Sequence, residues 1–77
     1  DELEGMECTY KSCQITIKKA EFNAHKYWDA TVVDTFDNVP ILTEAYANMQ
    51  KGAYNGLRRA LAYAIGAICR HKPCDEN

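Results

Sequence analysis

Few side chains in this sequence can form a covalent bond, hold a metal or attack a substrate. Cys8 and Cys13 lie near one end and Cys69 and Cys74 near the other, each pair separated by four residues in a chain of 77. An even number of cysteines in so short a chain points first to two disulfides formed in an oxidising compartment outside the cell. Joining the two ends would close loops of about 60 residues and stabilise the fold by roughly 4 kcal/mol each, more than two local bridges would. Loop closure therefore favours end-to-end pairing, of which two versions remain open. The rival chemistry is a tetrahedral zinc site of four thiolates. The usual structural-zinc knuckle is tighter and often carries a glycine turn, and neither feature is present. No metal and no cofactor is expected.

The other reactive groups are scattered. His25 and His71 are the only histidines and Ser12 the only serine, and none stands at a spacing that joins a nucleophile to a base and an orienting group. Enzymatic chemistry is not expected. Among the carboxylates Asp29, Asp34, Asp37 and Glu44, Asp34 is the informative one, because it shares a period-two face with Trp28, Val32 and Phe36 that should be buried. A carboxylate there must be paired, hydrogen-bonded or protonated, and a raised pKa would ease assembly in acid. The plainer alternative is a strand bulge that turns Asp34 outward. Arg58 and Arg59 read as the first turn of a helix, against the preference of the dipole. A partner's carboxylate or an anionic target surface would explain them; a solvated helix flank is the plainer reading.

Charge and hydropathy exclude some classes. A formal charge of −2 and a pI near 5.6 argue against a nucleic-acid footprint, which needs a basic excess. The longest uncharged apolar run, Ala60 to Cys69, is too short to cross a bilayer as a helix. The chain begins at Asp1 rather than Met, as expected of a piece cut from a leader or a larger precursor.

The elements that must position these groups make one small α+β domain. Ala53 to Cys69 is the strongest helix: Leu57, Ala60, Leu61, Ala64, Ile65 and Ile68 recur at helical spacing along one stripe. Asn55 is its expected N-cap, Arg70, His71 and Lys72 suit its carbonyl end, and Pro73 stops it. Ala62, Tyr63 and Gly66 fall on the opposite side, and no charge intervenes between Arg59 and Arg70. Gly66 costs about 1 kcal/mol relative to alanine inside a helix, so a packing reason for it is expected. Cys13 to Phe22 alternates as a half-buried strand with Cys13, Ile15 and Ile17 on one face, and Trp28 to Phe36 alternates likewise. The two pair as a hairpin through Asn23 to Lys26. Ile41 to Ala47 suits either a strand or a helix, and a meander makes it a third strand. Asp1 to Glu7 reads as an acidic arm pinned by Cys8, and Thr9 to Ser12 as a loop.

This layout of strand, turn, glycine and small-residue helix closing on two cysteines resembles the fungal killer toxins with an α/β-sandwich fold, more narrowly their beta subunits. The residues that carry the resemblance run from Ile41 to Cys74, ILTEAYANMQKGAYNGLRRALAYAIGAICRHKPC. In one relative the cysteines after the helix stand closer together than Cys69 and Cys74, and no functional residue carries over at a matching position. The resemblance implies a secreted heterodimer whose companion alpha chain, cut from the same precursor, completes an α/β sandwich. It implies non-enzymatic killing of sensitive yeast at the cell surface or membrane. In that assembly Ala62, Tyr63 and Gly66 are the expected partner contact. A different class remains open: a cytosolic binding or inhibitor module of the antitoxin or phage-inhibitor kind, dimerising through its sheet or helix.

Overall fold

The structure, a computed structural model, describes residues 4–72. Pro73 and Cys74 lie outside the described residues. Four strands and one helix follow in the order β1 (Gly5–Tyr10), β2 (Cys13–Phe22), β3 (His25–Asp34), β4 (Val39–Asn48) and α1 (Ala53–His71). The strands form one antiparallel meander in sequence order, and α1 lies across one of its faces. This is the α+β architecture expected, with one strand more than the three anticipated.

The additional strand is β1. The arm and loop read into residues 5–10 are instead a strand paired with β2, from Gly5 opposite Lys18 to Tyr10 opposite Cys13. Its signal is a weak alternation, Met6 and Cys8 packed against the core with Glu7 and Thr9 exposed. The turn that makes the pairing possible is Lys11–Ser12, with φ of 53° and 64°. Two consecutive left-handed residues match the twist of a hairpin, but Asn and Gly are the usual markers of such a turn, and neither is present. Asn23 and Ala24 repeat the geometry between β2 and β3 with φ of 53° and 64°, and there asparagine does announce it.

The segment from Ile41 to Ala47 is strand, inside β4. Pro40 has no N–H to donate and is tolerated because β4 is an edge strand. The register of β3 against β4 slips near Val32, a bulge that bends this edge. Phe36 does not join the buried face: β3 ends at Asp34, and Phe36 stands 88% exposed in the following turn.

The core lies between sheet and helix. Bulk comes from the sheet, with Ile15, Ile17, Trp28 and Val32 buried, while α1 contributes Leu57, Ala60, Ala64, Ala67 and Ile68. Small alanines let the helix sit close to the sheet, and each large apolar side chain buried is worth about 1.5–3 kcal/mol. Trp28 anchors the helix, its indole N–H donating to the Ala53 carbonyl at 2.8 Å. Where α1 crosses Trp28 the chain needs Gly56, because a Cβ there would stand 2.6 Å from the Asn48 carbonyl oxygen and 2.9 Å from Trp28 Cδ1.

The helix begins two residues before the expected cap. Its N-cap is Gly52, at φ 107°, with no side-chain capping bond. Asn55 lies within the first turn, and its amide donates to the Lys51 carbonyl at 2.7 Å. Close packing on Trp28 thus sets the start of α1 where capping chemistry alone would not.

Candidate functional site

Asp34 is the only buried charged side chain among the described residues, 3% exposed. It faces inward at the end of β3, opposite Cys13 on β2 and Val39 on β4. The register shifts between β3 and β4 run up to Val33, and their extra residues are on β4, so they leave Asp34 facing inward. Burial is tolerated because the carboxylate is well supplied with donors. Its Oδ1 accepts the Phe36 backbone N–H at 2.9 Å, and its Oδ2 lies 3.2 Å from Lys72 Nζ and 3.6 Å from His71 Nε2.

The Phe36 N–H, with Lys72 and His71 adding to it, holds the Asp34 carboxyl below its ordinary range, although burial pushes the other way. Of the alternatives the sequence left open for this carboxylate, the structure shows it paired and hydrogen-bonded, with its pKa moved down rather than up. What could not be read was that the carbonyl end of α1 returns two basic side chains to the end of β3. Lys72 also donates to the Lys11 carbonyl at 2.8 Å, so one ammonium links the helix end to β3 and to the β1–β2 turn. Asp34 is a structural lock between sheet and helix.

The side of α1 away from the sheet carries the residues expected to meet a partner. Ala62 is exposed, Tyr63 is 42% exposed and Gly66 is half-buried. Gly56 and Gly66 differ in kind. A Cβ added at Gly66 would meet only Arg70 Nη1, at an ordinary 3.6 Å. Nothing among the described residues requires glycine at this position, so the packing reason expected for it is not found there.

Arg58 and Arg59 are both exposed. Because α1 starts at Ala53, they stand in its second turn rather than its first, where the dipole's penalty on a cation has largely faded. The Arg58 guanidinium lies over the Tyr54 ring, 5.9 Å from its centroid. Both line a cleft that sequence reasoning missed, since its other walls come from the β4–α1 connection.

Cys8, Cys13 and Cys69 are free thiols in the structure. Cys8 and Cys13 lie diagonally on the helix side of the β1–β2 hairpin, Cys8 opposite Ile15 and Cys13 opposite Tyr10. Cys13 is fully buried. Cys69 follows Leu61 and Ile65 along a flank of α1 that leads to Lys72 and its contact with Lys11. Three cysteines thus belong to the same end of the sheet–helix interface, and Cys74 lies outside the described residues. Among the described residues no group of three His, Cys, Asp or Glu side chains is disposed to hold a metal, and no helix is long and apolar enough to cross a membrane.

The outer face of the sheet mixes polar and aromatic residues, with Thr16 opposite Thr31, Asp29 between Lys18 and Tyr46, and the Tyr27 and Tyr46 rings edge to face at 6.3 Å. Asp29 Oδ1 is shielded from solvent without a hydrogen-bond partner. Fold and surfaces together define a small α+β protein in which, among the described residues, a four-stranded meander is covered on one side by a single helix whose outer side is exposed. Comparison with protein-family models, curated proteins and solved structures gives no match.

Proposed function

We propose that this chain is a beta-type subunit of a secreted killer toxin, non-enzymatic, acting at the cell surface or membrane of sensitive yeast together with a companion alpha chain from the same precursor. The toxin part rests on the resemblance of residues 41–74. The companion chain rests on one observation: for Gly66, inside a 19-residue helix, the nearest atom of the described residues to its missing Cβ, apart from the adjoining helix backbone, is Arg70 Nη1 at 3.6 Å. A glycine kept at a cost of about 1 kcal/mol on the open side of a helix, one turn from Ala62 and beside Tyr63, fits the close approach of a second surface.

Co-purification from the native source followed by intact mass measurement tests the reading. A companion chain and a non-reducing mass two hydrogens lighter per disulfide are expected. Four free thiols and no companion would replace the toxin with the cytosolic inhibitor. Ala62→Lys or Gly66→Lys is expected to disrupt assembly more than Lys18→Ala, and equal effects would reject this helix face as the contact. Without its companion the chain is expected to be incompletely folded or to self-associate, and a monomeric, cooperative unfolding transition would count against two chains.

A further inference from the structure

Where β4 hands the chain to α1, a cleft of about 490 Å³ opens to solvent. Its walls carry the cations Lys51, Arg58 and Arg59 and the carboxamides of Asn48, Gln50 and Asn55, with no carboxylate among the residues that line it. None of these three cations forms an ion pair with a described residue. The connection that bears Lys51 is held at both ends: the Gln50 N–H donates to Asn48 Oδ1 at 3.1 Å, and the Asn55 amide donates to the Lys51 carbonyl at 2.7 Å. Tyr54 holds the Arg58 guanidinium by its face, which leaves the N–H donors at its edge available.

We infer that this cleft binds a phosphate-bearing ligand. Three unneutralised cations around one concavity exceed what a single carboxylate can match, whereas a phosphate monoester brings up to two charges and several acceptor oxygens suited to arginine forks. The cleft is also larger than one phosphate group requires, leaving room for the organic part of an ester. The chain as a whole is negative, at −2, so its overall field would repel an anion, and attraction must come from this local cluster. The inference does not depend on the two-chain reading, although Ala62 borders both surfaces.

The test is titration of sodium tripolyphosphate into the protein as purified from its source, at constant ionic strength, by calorimetry and amide chemical shifts. Saturable one-to-one binding is expected, with shifts concentrated in residues 48–59. Arg58→Gln combined with Arg59→Gln should weaken it by at least about tenfold, the loss of charge-assisted hydrogen bonds. Arg58→Lys with Arg59→Lys, which keeps the charge and loses the fork, should retain part of the affinity, and Lys18→Gln all of it. Vesicles of phosphatidylcholine with and without phosphatidic acid separate the sources. Binding to the acidic vesicles that tripolyphosphate displaces assigns the phosphate to a lipid headgroup, and tripolyphosphate binding without vesicle binding assigns it to a soluble ester. The inference is overturned if chloride at matched ionic strength gives the same response, if Lys18→Gln weakens binding as much as the arginine pair, or if neither ligand binds. Gly66→Lys reports on the companion chain and the arginine variants on the phosphate, so either reading can fail without the other.

Discussion

Replacing Gly66 and Gly56 by alanine, one at a time, should move stability in opposite directions. Both lie inside α1, so both gain about 1 kcal/mol of helix propensity. At Gly66 the new methyl meets only the end of the Arg70 side chain, at 3.6 Å, and the gain is retained. For a domain of this size that raises the melting midpoint by about 4–8 °C. At Gly56 the methyl would stand 2.6 Å from the Asn48 carbonyl oxygen and 2.9 Å from Trp28 Cδ1, one a backbone atom and the other part of a fully buried ring. Overpacking of this kind costs about 1–3 kcal/mol. Moving the helix to relieve it stretches the Trp28–Ala53 hydrogen bond of 2.8 Å, worth about 1 kcal/mol more. The net expectation for Gly56→Ala is a loss of about 1–3 kcal/mol. Thermal melts followed by far-ultraviolet circular dichroism on the chain without its companion, wild type and variants at one matched concentration, would measure both as shifts from the wild-type signal. A Gly66→Ala chain less stable than wild type under those conditions would mean that the fold itself needs that glycine, removing the observation on which the companion chain rests. A stabilised Gly56→Ala would refute the close crossing of α1 over Trp28.

Two further predictions follow from the buried polar contacts. The carboxyl of Asp34 is held below its unfolded value, so its contribution to stability is fully present above the ordinary carboxylate range of about 4 and is lost as pH falls through its lower folded pKa. Acid titration of stability should therefore lose part of its slope in Asp34→Asn, and an unchanged slope would show that the lock with Lys72 and His71 is not formed. Trp28→Phe removes the donor to Ala53 and leaves a gap in the core, and should cost at least about 1 kcal/mol. Hydrogen exchange should quicken first at the amino end of α1, and uniform quickening would argue against a local anchor.

The helix and the central hairpin were legible because their periods are strong and agree with burial. Leu57, Ala60, Ala64 and Ile68 on α1, and Cys13, Ile15 and Ile17 on β2, occupy the buried faces that their spacing assigns. β1 was harder to read because only Met6 and Cys8 mark its inner face and because its turn, Lys11–Ser12, is made of residues that seldom take left-handed φ. Phe36 was misplaced because alternation alone does not say where a strand stops. Here the Asp34 carboxylate captures the Phe36 N–H and starts the turn.

Local chemistry in the sequence thus determined the class of fold, the sheet-facing stripe of the helix and the small-residue side opposite it, since each depends on spacings within one element. Tertiary structure alone decided which polar groups meet. Asp34 reaches Lys72 and His71 from 38 and 37 residues away only because α1 folds back along the meander, and the same return supplies the partners that a buried carboxylate requires. Tertiary structure also separated two glycines that look alike in sequence, since a missing Cβ acquires meaning only from the atoms placed around it. The cationic cleft exists for the same reason: Lys51 belongs to a connection and Arg58 and Arg59 to a helix, and folding gathers their like charges around one space.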